Sequence, residues 1–282
     1  MSSVLVTGAS GGVGRATVHR LQERGWRVFA GVRSLNAARD LRAVAVELDV
    51  TDQGSIYRAG QEIAASVGEE GLQGLVNNAG LSVDGPLELV TVEALRRQFE
   101  VNVVGHVAVT QACLPMLRLG CGRIVNMGGA AGRSTLPMYG ALSASKAALD
   151  AVTDALRMEL KHQGVCVCYI EPGGLETPFF DTAARTARRD GYAGTPETQR
   201  IYTQAIQAAA HALAGSRRSP VADAARAIER ALTSPRPAPR YRVGGDARLV
   251  LPLLRHLPAG LRDRLVMGGL GLRRDVFTSF AS

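Results

Sequence analysis

A glycine-rich turn near the start of the chain has the composition of a phosphate-binding site. It consists of Thr7, Gly8, Ala9, Ser10, Gly11, Gly12, Val13 and Gly14. Glycines permit a tight turn in which backbone N–H groups approach a pyrophosphate, and a following helix N-terminus favours negative charge. Any strand–helix corner can use glycine, so the turn alone is a weak signal. Its position between an apolar run and a helical pattern makes it a candidate dinucleotide site.

The residues after the second β-rich run bear on which dinucleotide would bind. Folds that bind NAD commonly place an acid there to hold the ribose 2′-hydroxyl. Here Val32 is followed instead by Arg33 and Ser34. A guanidinium at this point can pair with a 2′-phosphate, so the pattern favours NADP(H), with NAD(H) as the alternative. A merely solvated surface arginine would give the same sequence.

Short β-rich runs alternate with helical patterns along the chain, which predicts parallel βαβ units. The predicted strands are Ser3–Thr7, Arg27–Val32, Val44–Leu48, Leu72–Asn77, Arg123–Met127, Val165–Ile170 and Arg240–Val243. The predicted helices include Gly12–Arg24 closed by Gly25, Gln53–Val67, a long stretch from about Thr91 to Leu119 that Pro115 should kink or break, and one with an apolar stripe from Leu142 to Leu156. We therefore expect one doubly wound α/β Rossmann domain over residues 1–282, with a seven-stranded parallel sheet.

Two segments fall outside this rhythm. Residues 175–218 are polar, rich in Ala and Arg, and weakly periodic, which predicts a helical lid over the substrate. The C-terminal extension, residues 246–282, alternates Leu with Arg, Pro and Gly over Arg248–Leu272. We interpret that stretch as a terminal helix that covers the sheet or forms an oligomer interface. A membrane-surface helix is the alternative, although prolines and a glycine pair interrupt its apolar face.

Composition excludes several other classes of protein. The hydrophobic fraction of 46% and the charged fraction of 21% allow a sizeable core and exclude general disorder. No apolar run approaches the roughly 18 residues of a membrane span, and no signal peptide is recognisable, so we expect a cytoplasmic protein. The net charge is +8, but the basic residues are dispersed, so no nucleic-acid partner is expected. The four cysteines lack metal-binding spacing, and Cys166 and Cys168 are interpreted as small core residues.

Five ordered motifs between residues 4 and 177 resemble those of the short-chain dehydrogenase/reductase family. They are the glycine-rich turn, Asp49-Val50, Asn77-Asn78-Ala79-Gly80, Asn102 between two valines, and Pro172-Gly173-Gly174-Leu175-Glu176-Thr177. The Arg33 variant and the long C-terminus look most like the retinol and steroid dehydrogenase branch. Dimers and tetramers are common in the family, so the resemblance leaves a homo-oligomer open.

The resemblance also implies roles for individual residues around a nicotinamide cofactor. Gly8, Gly12 and Gly14 would hold the pyrophosphate, Asp49 and Val50 the adenine, and Asn77 to Gly80 the adenosine side. Lys146 would bind the nicotinamide ribose, and Thr177 would lie near the pyrophosphate or carboxamide. The Asn at position 102 supports a water near the lysine in the family, so Asn102 and Lys146 are the candidate catalytic residues.

The family's chemistry also needs a Tyr four residues before the Lys and a Ser thirteen before that Tyr. The Tyr gives its proton to the ketone oxygen, and the Ser hydrogen-bonds the same oxygen. These positions are Leu142 and Gly129 in this sequence, so both hydroxyl groups are missing. Tyr139 lies about two turns before Lys146 and is interpreted as lining the substrate pocket or capping the helix, with proton donation as the alternative. Gly129, Leu142 and Gly174 are the other residues assigned to the substrate side. Ser134 and Ser143 have no better claim as donors, and His106 is interpreted as a surface or packing residue.

Three functions are compatible with a preserved cofactor end and a carbonyl end without hydroxyl groups. The first is a ketoreductase using NADP(H) in which the proton comes from water or from a phenol of the substrate beside its ketone. The second is a non-redox cyclase or dehydratase, and the third is a non-catalytic NADP-binding sensor. The intact cofactor motifs favour the first, because hydride transfer needs them all. A ketoreductase without Ser and Tyr resembles the atypical ketoreductases of aromatic-polyketide antibiotic biosynthesis, of the angucyclinone type found in the simocyclinone pathway.

Overall fold

Seven short runs rich in Val, Ile and Leu form a single parallel sheet, with every neighbouring pair in parallel register. The computed structural model describes residues 1–179, 193–250, 253–254, 256–272 and 276–277. The strands are β1 Ser3–Thr7, β2 Arg27–Val32, β3 Val44–Glu47, β4 Gly74–Asn77, β5 Arg123–Met127, β6 Cys166–Pro172 and β7 Arg240–Val243. Their order is β3-β2-β1-β4-β5-β6-β7. Successive strands are added to one side of β1 up to β3 and to its other side from β4 onward. Doubly wound folds bind ligands at this switch point between β1 and β4, at the carboxyl ends of the strands. The predicted fold is confirmed.

Helices cover both faces of the sheet. Those within the described residues are α1 Gly12–Glu23, α2 Gln53–Val67, α3 Val92–Phe99, α4 Gly105–Leu119, α5 Gly140–Glu159, α6 Pro196–Ala214, α7 Val221–Thr233 and α8 Ala259–Gly269. Leu21 of α1 and Ile228 of α7 are fully buried in the core of one face, and Ile63 of α2 and Leu117 of α4 in the core of the other. No helix in the described ranges has the length and apolarity needed to cross a membrane.

The long helix predicted from Thr91 to Leu119 is interrupted at a different place from the one expected. A π-helical segment, Glu100–Val104, separates α3 from α4, whereas Pro115 lies inside α4. The expected break at the proline is therefore wrong. Cys113, Met116 and Leu117 beside it are buried against the sheet. This packing offsets the hydrogen bond that a proline removes from a helix.

A third apolar cluster lies at the start of α5, and we call it the end cluster. It consists of Met138, Tyr139, Leu142, Ala205, Ala209, Leu270 and Leu272, with further partly buried side chains around them. It joins α5 to α6 of the predicted lid and to the segment after α8. The terminal segment therefore packs on this cluster, and residues 180–192 of the predicted lid lie outside the described residues.

The cysteines differ in their surroundings. Cys168 is buried in the core, but Cys166, the first residue of β6, is exposed, so the prediction of two core residues is wrong for Cys166. Cys166 is exposed because it is the first residue of β6, where the strand enters the sheet, whereas the following six residues are buried.

Candidate active site

The glycine-rich turn joins β1 to α1 and brings the backbone into close contact with its surroundings. Gly8 has a φ of +62°, and a Cβ atom there would lie 2.9 Å from the Cα of Ala79. A Cβ atom on Gly14 would lie 2.2 Å from the carbonyl oxygen of Gly8. Both positions thus require glycine. At the N-cap of α1, Gly11 offers no side chain to the first-turn N–H groups, which leaves these donors for an anion.

Polar side chains at the end of β4 hold this turn in place. The hydroxyl of Thr7 accepts hydrogen bonds from the N–H groups of Asn78 and Ala79, at 2.9 and 3.0 Å. The side-chain amide of Asn78 donates to the carbonyl oxygens of Thr7 and Gly8, at 3.0 and 3.2 Å. The first and fourth strands are therefore locked together at the point where the chain reverses across the sheet.

The side chain of Asn77 does not lie with those of Asn78 and Ala79 at the place predicted for the adenosine part of the cofactor. Its side chain is fully buried and donates to the hydroxyl of Thr110 in α4 and to the side-chain oxygen of Asn126 in β5, both at 2.9 Å. Alternation along the strand explains this, because successive residues point to opposite faces of a sheet. Asn77 is a structural residue that fixes α4 on the sheet.

The ends of β2 and β3 form the outer part of the same crevice. Arg33 and Ser34 are exposed directly after β2. The carboxylate of Asp49 accepts from the backbone and the hydroxyl of Thr51, at 2.9 and 2.7 Å, which fixes its orientation. Val50 is buried and packs against Gly105 of α4, where a Cβ atom would lie 2.6 Å from the carbonyl oxygen of Val50.

The segment after β6 reaches back to the glycine-rich turn. A Cβ atom on Gly12 would lie 3.1 Å from the Cγ2 of Thr177. Asp246, which follows β7, accepts a hydrogen bond of 2.9 Å from the N–H of Gly174, and a Cβ atom on Gly173 would lie 2.0 Å from its carboxylate. Asp246 is not among the site residues predicted from the sequence. The Gly-Gly pair before it, directly after the last strand, was the available signal.

Lys146 of α5 lies between the ends of β4 and β5. Its ammonium donates to the carbonyl oxygen of Met127 at 2.8 Å, and a Cβ atom on Gly80 would lie 4.0 Å from the Nζ. The side chain is buried, and this desolvation lowers the pKa of Lys146 to about 8. The ammonium is thus held beside the crevice with further N–H donors in addition to the one that Met127 takes.

Asn102 faces the loop after β4 from the π-helical segment. Its side-chain oxygen accepts from the N–H of Leu81 at 2.9 Å, and its amide donates to the carbonyl oxygen of Leu81 at 3.0 Å and to the hydroxyl of Ser145 at 3.1 Å. Gln98, one turn earlier, binds Val83, Leu81 and Ser145 in the same manner. Gln98 was also missed, although its spacing of four residues from Asn102 places both amides on one helix face.

The comparisons with known proteins agree with this arrangement. A family model described as short chain dehydrogenase matches residues 2–188. The chain belongs to the short-chain dehydrogenase family. It is 39% identical over 206 residues to the 3-amino-tetrahydro-pyrrolizinone reductase of Xenorhabdus hominickii, covering 72% of each chain. It is 33% identical over 277 residues to human retinol dehydrogenase 5, covering 93% of this chain and 87% of the relative. The predicted enzyme class is confirmed, and the chain is an oxidoreductase of this family.

Solved structures of the family have the same fold. A short-chain dehydrogenase from Streptomyces avermitilis superposes with a TM-score of 0.77 at 30% identity, covering 96% of this chain and 97% of that one. One from Burkholderia cenocepacia, in complex with NADP, gives a TM-score of 0.73 at 29% identity, covering 94% and 97%.

The two positions at which the family's hydroxyl groups are expected flank Lys146. Leu142 lies one turn before the lysine, is 5% exposed and packs in the end cluster. A Cβ atom on Gly129 would lie 3.6 Å from the Cγ of Lys146, an ordinary contact. Position 142 therefore carries an aliphatic side chain, and position 129 is bare backbone beside Lys146.

Tyr169 of β6 is a phenol close to this point that sequence analysis assigned only to a strand. Its hydroxyl donates to the backbone carbonyl of Lys146 at 3.1 Å and accepts from the N–H of Gly129 at 3.3 Å. A Cβ atom on Gly128 would lie 1.8 Å from its ring. The residue is 1% exposed, and burial raises the pKa of the phenol above its ordinary value. It is a packing residue beneath the site, since both of its hydrogen bonds go to backbone.

The other candidate donors differ in position. Tyr139 immediately precedes α5, is 8% exposed and belongs to the end cluster. The hydroxyl groups of Ser134 and Ser143 are buried and have no hydrogen-bond partner among the described residues. His106 is also buried and contacts the carbonyl oxygen of Ala79 at 2.7 Å, and desolvation lowers its pKa to about 3, so its ring is neutral.

Proposed function

We propose that this protein is an NADP(H)-dependent ketoreductase whose carbonyl site contains no tyrosine acid. The cradle that fits the cofactor is visible in the chain itself. Side chains at Gly8 and Gly14 would collide with Ala79 and with the carbonyl oxygen of Gly8, so only glycine allows this tight turn, and no side chain caps the first-turn N–H groups of α1. The relative from Burkholderia cenocepacia was solved with NADP, which supports the same cofactor here.

In this proposal the cofactor is held along the crevice from β3 to β6. Its contacts are Thr7, Gly8, Ser10, Gly11, Gly12, Val13 and Gly14 at the phosphates, Arg33 and Ser34 at the 2′-phosphate, Asp49 and Val50 at the adenine, and Asn78, Ala79, Gly80, Lys146, Pro172, Gly173 and Thr177 toward the nicotinamide. When bound, the nicotinamide supplies a hydride to the carbonyl carbon of the substrate. Lys146 orients the ribose through its ammonium, and Asn102 fixes the loop after β4 against α5.

One observation carries the proposal: the ammonium of Lys146 is retained and buried, while the residue one turn earlier is a leucine packed in an apolar cluster. Leu142 and Gly129 have no proton to give to the developing alkoxide. A positioned acid contributes about 10²–10⁴-fold to such a step, so a neighbouring donor within the substrate can replace it. We infer that a phenol beside the ketone, or water, supplies the proton.

The apolar character of the carbonyl side favours a polycyclic aromatic ketone. Tyr139 and Leu142 belong to the end cluster, against which Phe179 of the predicted lid also packs. We infer that α6 covers the substrate, with Gly129 and Gly174 at its edge. One relative is named a 3-amino-tetrahydro-pyrrolizinone reductase, which supports a fused-ring substrate. An angucyclinone-like antibiotic intermediate, as in simocyclinone biosynthesis, meets these requirements.

The proposal is tested by NADPH oxidation with two matched ketones: a tetralone that bears a phenol peri to its ketone, and the methyl ether of that compound. We expect the phenol to react about 10²-fold faster. Equal rates would contradict a proton from the substrate. Product without NADPH oxidation would indicate a cyclase or dehydratase, and NADPH binding without turnover on either ketone would indicate a sensor.

A further inference from the structure

The loop between β4 and α3 contains a carboxyl group that the roles assigned above do not use. Asp84 is half-buried, and its carboxyl oxygen accepts a hydrogen bond of 2.5 Å from the hydroxyl of Ser82, which is 4% exposed. The two carboxylates of the described chain that are less than 10% exposed are paired with arginine: Glu171 with Arg240, and Glu229 with Arg20. Asp84 has no cationic partner among the described residues. An unpaired buried carboxyl group is costly unless it is protonated or used.

The loop is fixed beside the carbonyl site from both ends. At one end, Gln98 and Asn102 bind Leu81 and also reach Ser145 of α5. At the other end, the N–H of Gly85 donates to the carbonyl oxygen of Met138 at 2.7 Å. Asp84 is thereby held between an anchor on α5 and an anchor on the segment that begins the end cluster.

Helix geometry gives the side of α5 on which this loop lies. At about 100° per residue, Ser145 projects about 60° to one side of Leu142, and Lys146 about 40° to the other. The loop that Ser145 anchors therefore forms the wall next to Leu142. Gly132, on the opposite wall, contacts the backbone of Lys146 and Ala147. A ketone over Lys146 would lie between these walls, with Ser82 and Asp84 on the Leu142 side.

We propose that Ser82 and Asp84 form a proton relay that re-supplies the donor hydroxyl of the substrate. This inference rests on the proposed ketone reduction. As the nicotinamide reduces the carbonyl carbon, the phenol O–H bond breaks and an O–H bond forms on the former carbonyl oxygen. In the same step the Ser82 hydroxyl gives its proton to the phenol oxygen and takes one from the Asp84 carboxyl group, so no free phenolate forms beside the new alcohol. Water re-protonates the carboxylate, so one proton from solvent is consumed for each ketone reduced.

The electrostatic surroundings of Asp84 suit this relay. Desolvation, opposed by the hydrogen bond from Ser82, raises the pKa of Asp84 to about 6, so a protonated fraction persists near neutrality. The titratable side chains on the α5 side are Tyr139 and Lys146, whereas α3 and the π-helical segment present the neutral amides of Gln98 and Asn102. Because the protonated carboxyl group is the active form, activity through the relay should fall as pH rises above about 6.

The test compares Asp84→Asn and Ser82→Ala with the wild type on the peri-hydroxytetralone and its methyl ether. Glu93→Gln is the matched control, since Glu93 is an exposed carboxylate on α3. We expect kcat/KM for the phenol to fall by about 10²-fold in both relay variants and the decline above pH 6 to vanish in Asp84→Asn. In both relay variants, kcat/KM for the methyl ether and the dissociation constant of NADPH should change less than about twofold. In Glu93→Gln, kcat/KM for both ketones and the dissociation constant of NADPH should also change less than about twofold.

Two results would overturn the relay. One is an equal loss of kcat/KM on both ketones in Asp84→Asn and Ser82→Ala, which would indicate a structural role, and the other is no loss of kcat/KM on either ketone. If the wild type oxidises NADPH with neither ketone, the proposed function fails. The role of Ser82 and Asp84 is then tested separately by measuring the binding of the two ketones. Titration by tyrosine fluorescence should show tighter binding of the phenol than of the ether in the wild type and no difference in Asp84→Asn. Equal binding in the wild type would refute the pair as a hydroxyl-binding site.

Discussion

Restoring the family's two hydroxyl groups tests the carbonyl site directly, and the structure predicts which substitutions it accepts. Gly129 has a φ of 176°, which is extended backbone open to any residue. A Cβ atom there would be 3.6 Å from the Cγ of Lys146, so Gly129→Ser should fold normally. At Gly128 a Cβ atom would lie 1.8 Å from the ring of Tyr169, which is only 1% exposed. Gly128→Ser should therefore destabilise the protein by about 1–3 kcal/mol or more.

The catalytic effect follows from what the two hydroxyl groups would do. A side-chain donor to a developing oxyanion contributes about 10²–10³-fold, and a positioned acid about 10²–10⁴-fold. The two groups act on one oxygen and are not additive. For Gly129→Ser with Leu142→Tyr we expect a gain of about 10²–10⁴ in kcat/KM on the methyl ether, or about 3–5 kcal/mol of transition-state stabilisation. The gain on the phenolic ketone should be smaller, because its own hydroxyl already supplies the proton.

The assay is NADPH oxidation by the single and double variants with both ketones, alongside Tm and the dissociation constant of NADPH. The control Gly128→Ser should lower Tm without raising the rate. Leu142→Tyr alone must still fit against the end cluster, so its Tm decides whether its rate is interpretable. A double variant that folds, binds NADPH as the wild type does and gains nothing on the methyl ether would refute the view that these two positions limit the reaction.

The cofactor end and the buried ammonium give three more predictions. Arg33→Ala should weaken NADPH binding by about 10–10²-fold, through a lost charge-assisted contact, and leave NADH within about twofold; an unchanged preference in titrations would remove the 2′-phosphate assignment. Tyr139→Phe should lower kcat by less than about tenfold, and a loss of about 10² or more would make its phenol the proton donor. Burial lowers the pKa of Lys146 from 10.5 to about 8, so the unfolded chain binds more protons between these values. Urea unfolding should therefore show the wild type gaining stability relative to Lys146→Met as pH rises from 8 to 10.5, whereas a flat difference would contradict a buried ammonium.

Local sequence signals were sufficient for the sheet because its strands are short apolar runs ended by glycine or polar residues. The observed strand boundaries differ only slightly from the predicted ones. For example, β3 ends at Glu47, one residue earlier than predicted, and β4 begins at Gly74, two residues later than predicted. The π-helical segment at Glu100–Val104 had no such signal. It depends on tertiary contacts, since Asn102 within it binds the loop after β4, and a propensity pattern contains no information about that partner.

Residues of the site could be predicted from the sequence where the local backbone conformation requires a particular residue type. They could not be predicted where their surroundings come from contacts with distant parts of the chain. Gly8 and Gly14 were recognisable because only glycine fits a turn of this shape. Asp84 and Tyr169 were not, because each acquires its environment from residues far along the chain. Asp84 is a carboxylate in an ordinary loop until the contact between Gly85 and Met138 places it beside α5.

The two glycines that follow β5, Gly128 and Gly129, differ in whether packing requires a glycine. Gly128 is required, because the ring of Tyr169 occupies the space of any side chain there. Gly129 is not required, because a Cβ atom would meet only an ordinary contact in extended backbone. The fold therefore does not exclude a serine at position 129. Leu142, in contrast, contributes to the end cluster that covers this end of α5. A carbonyl site with room for a hydroxyl at position 129 and an apolar wall at position 142 suits a ketone that brings its own hydroxyl group.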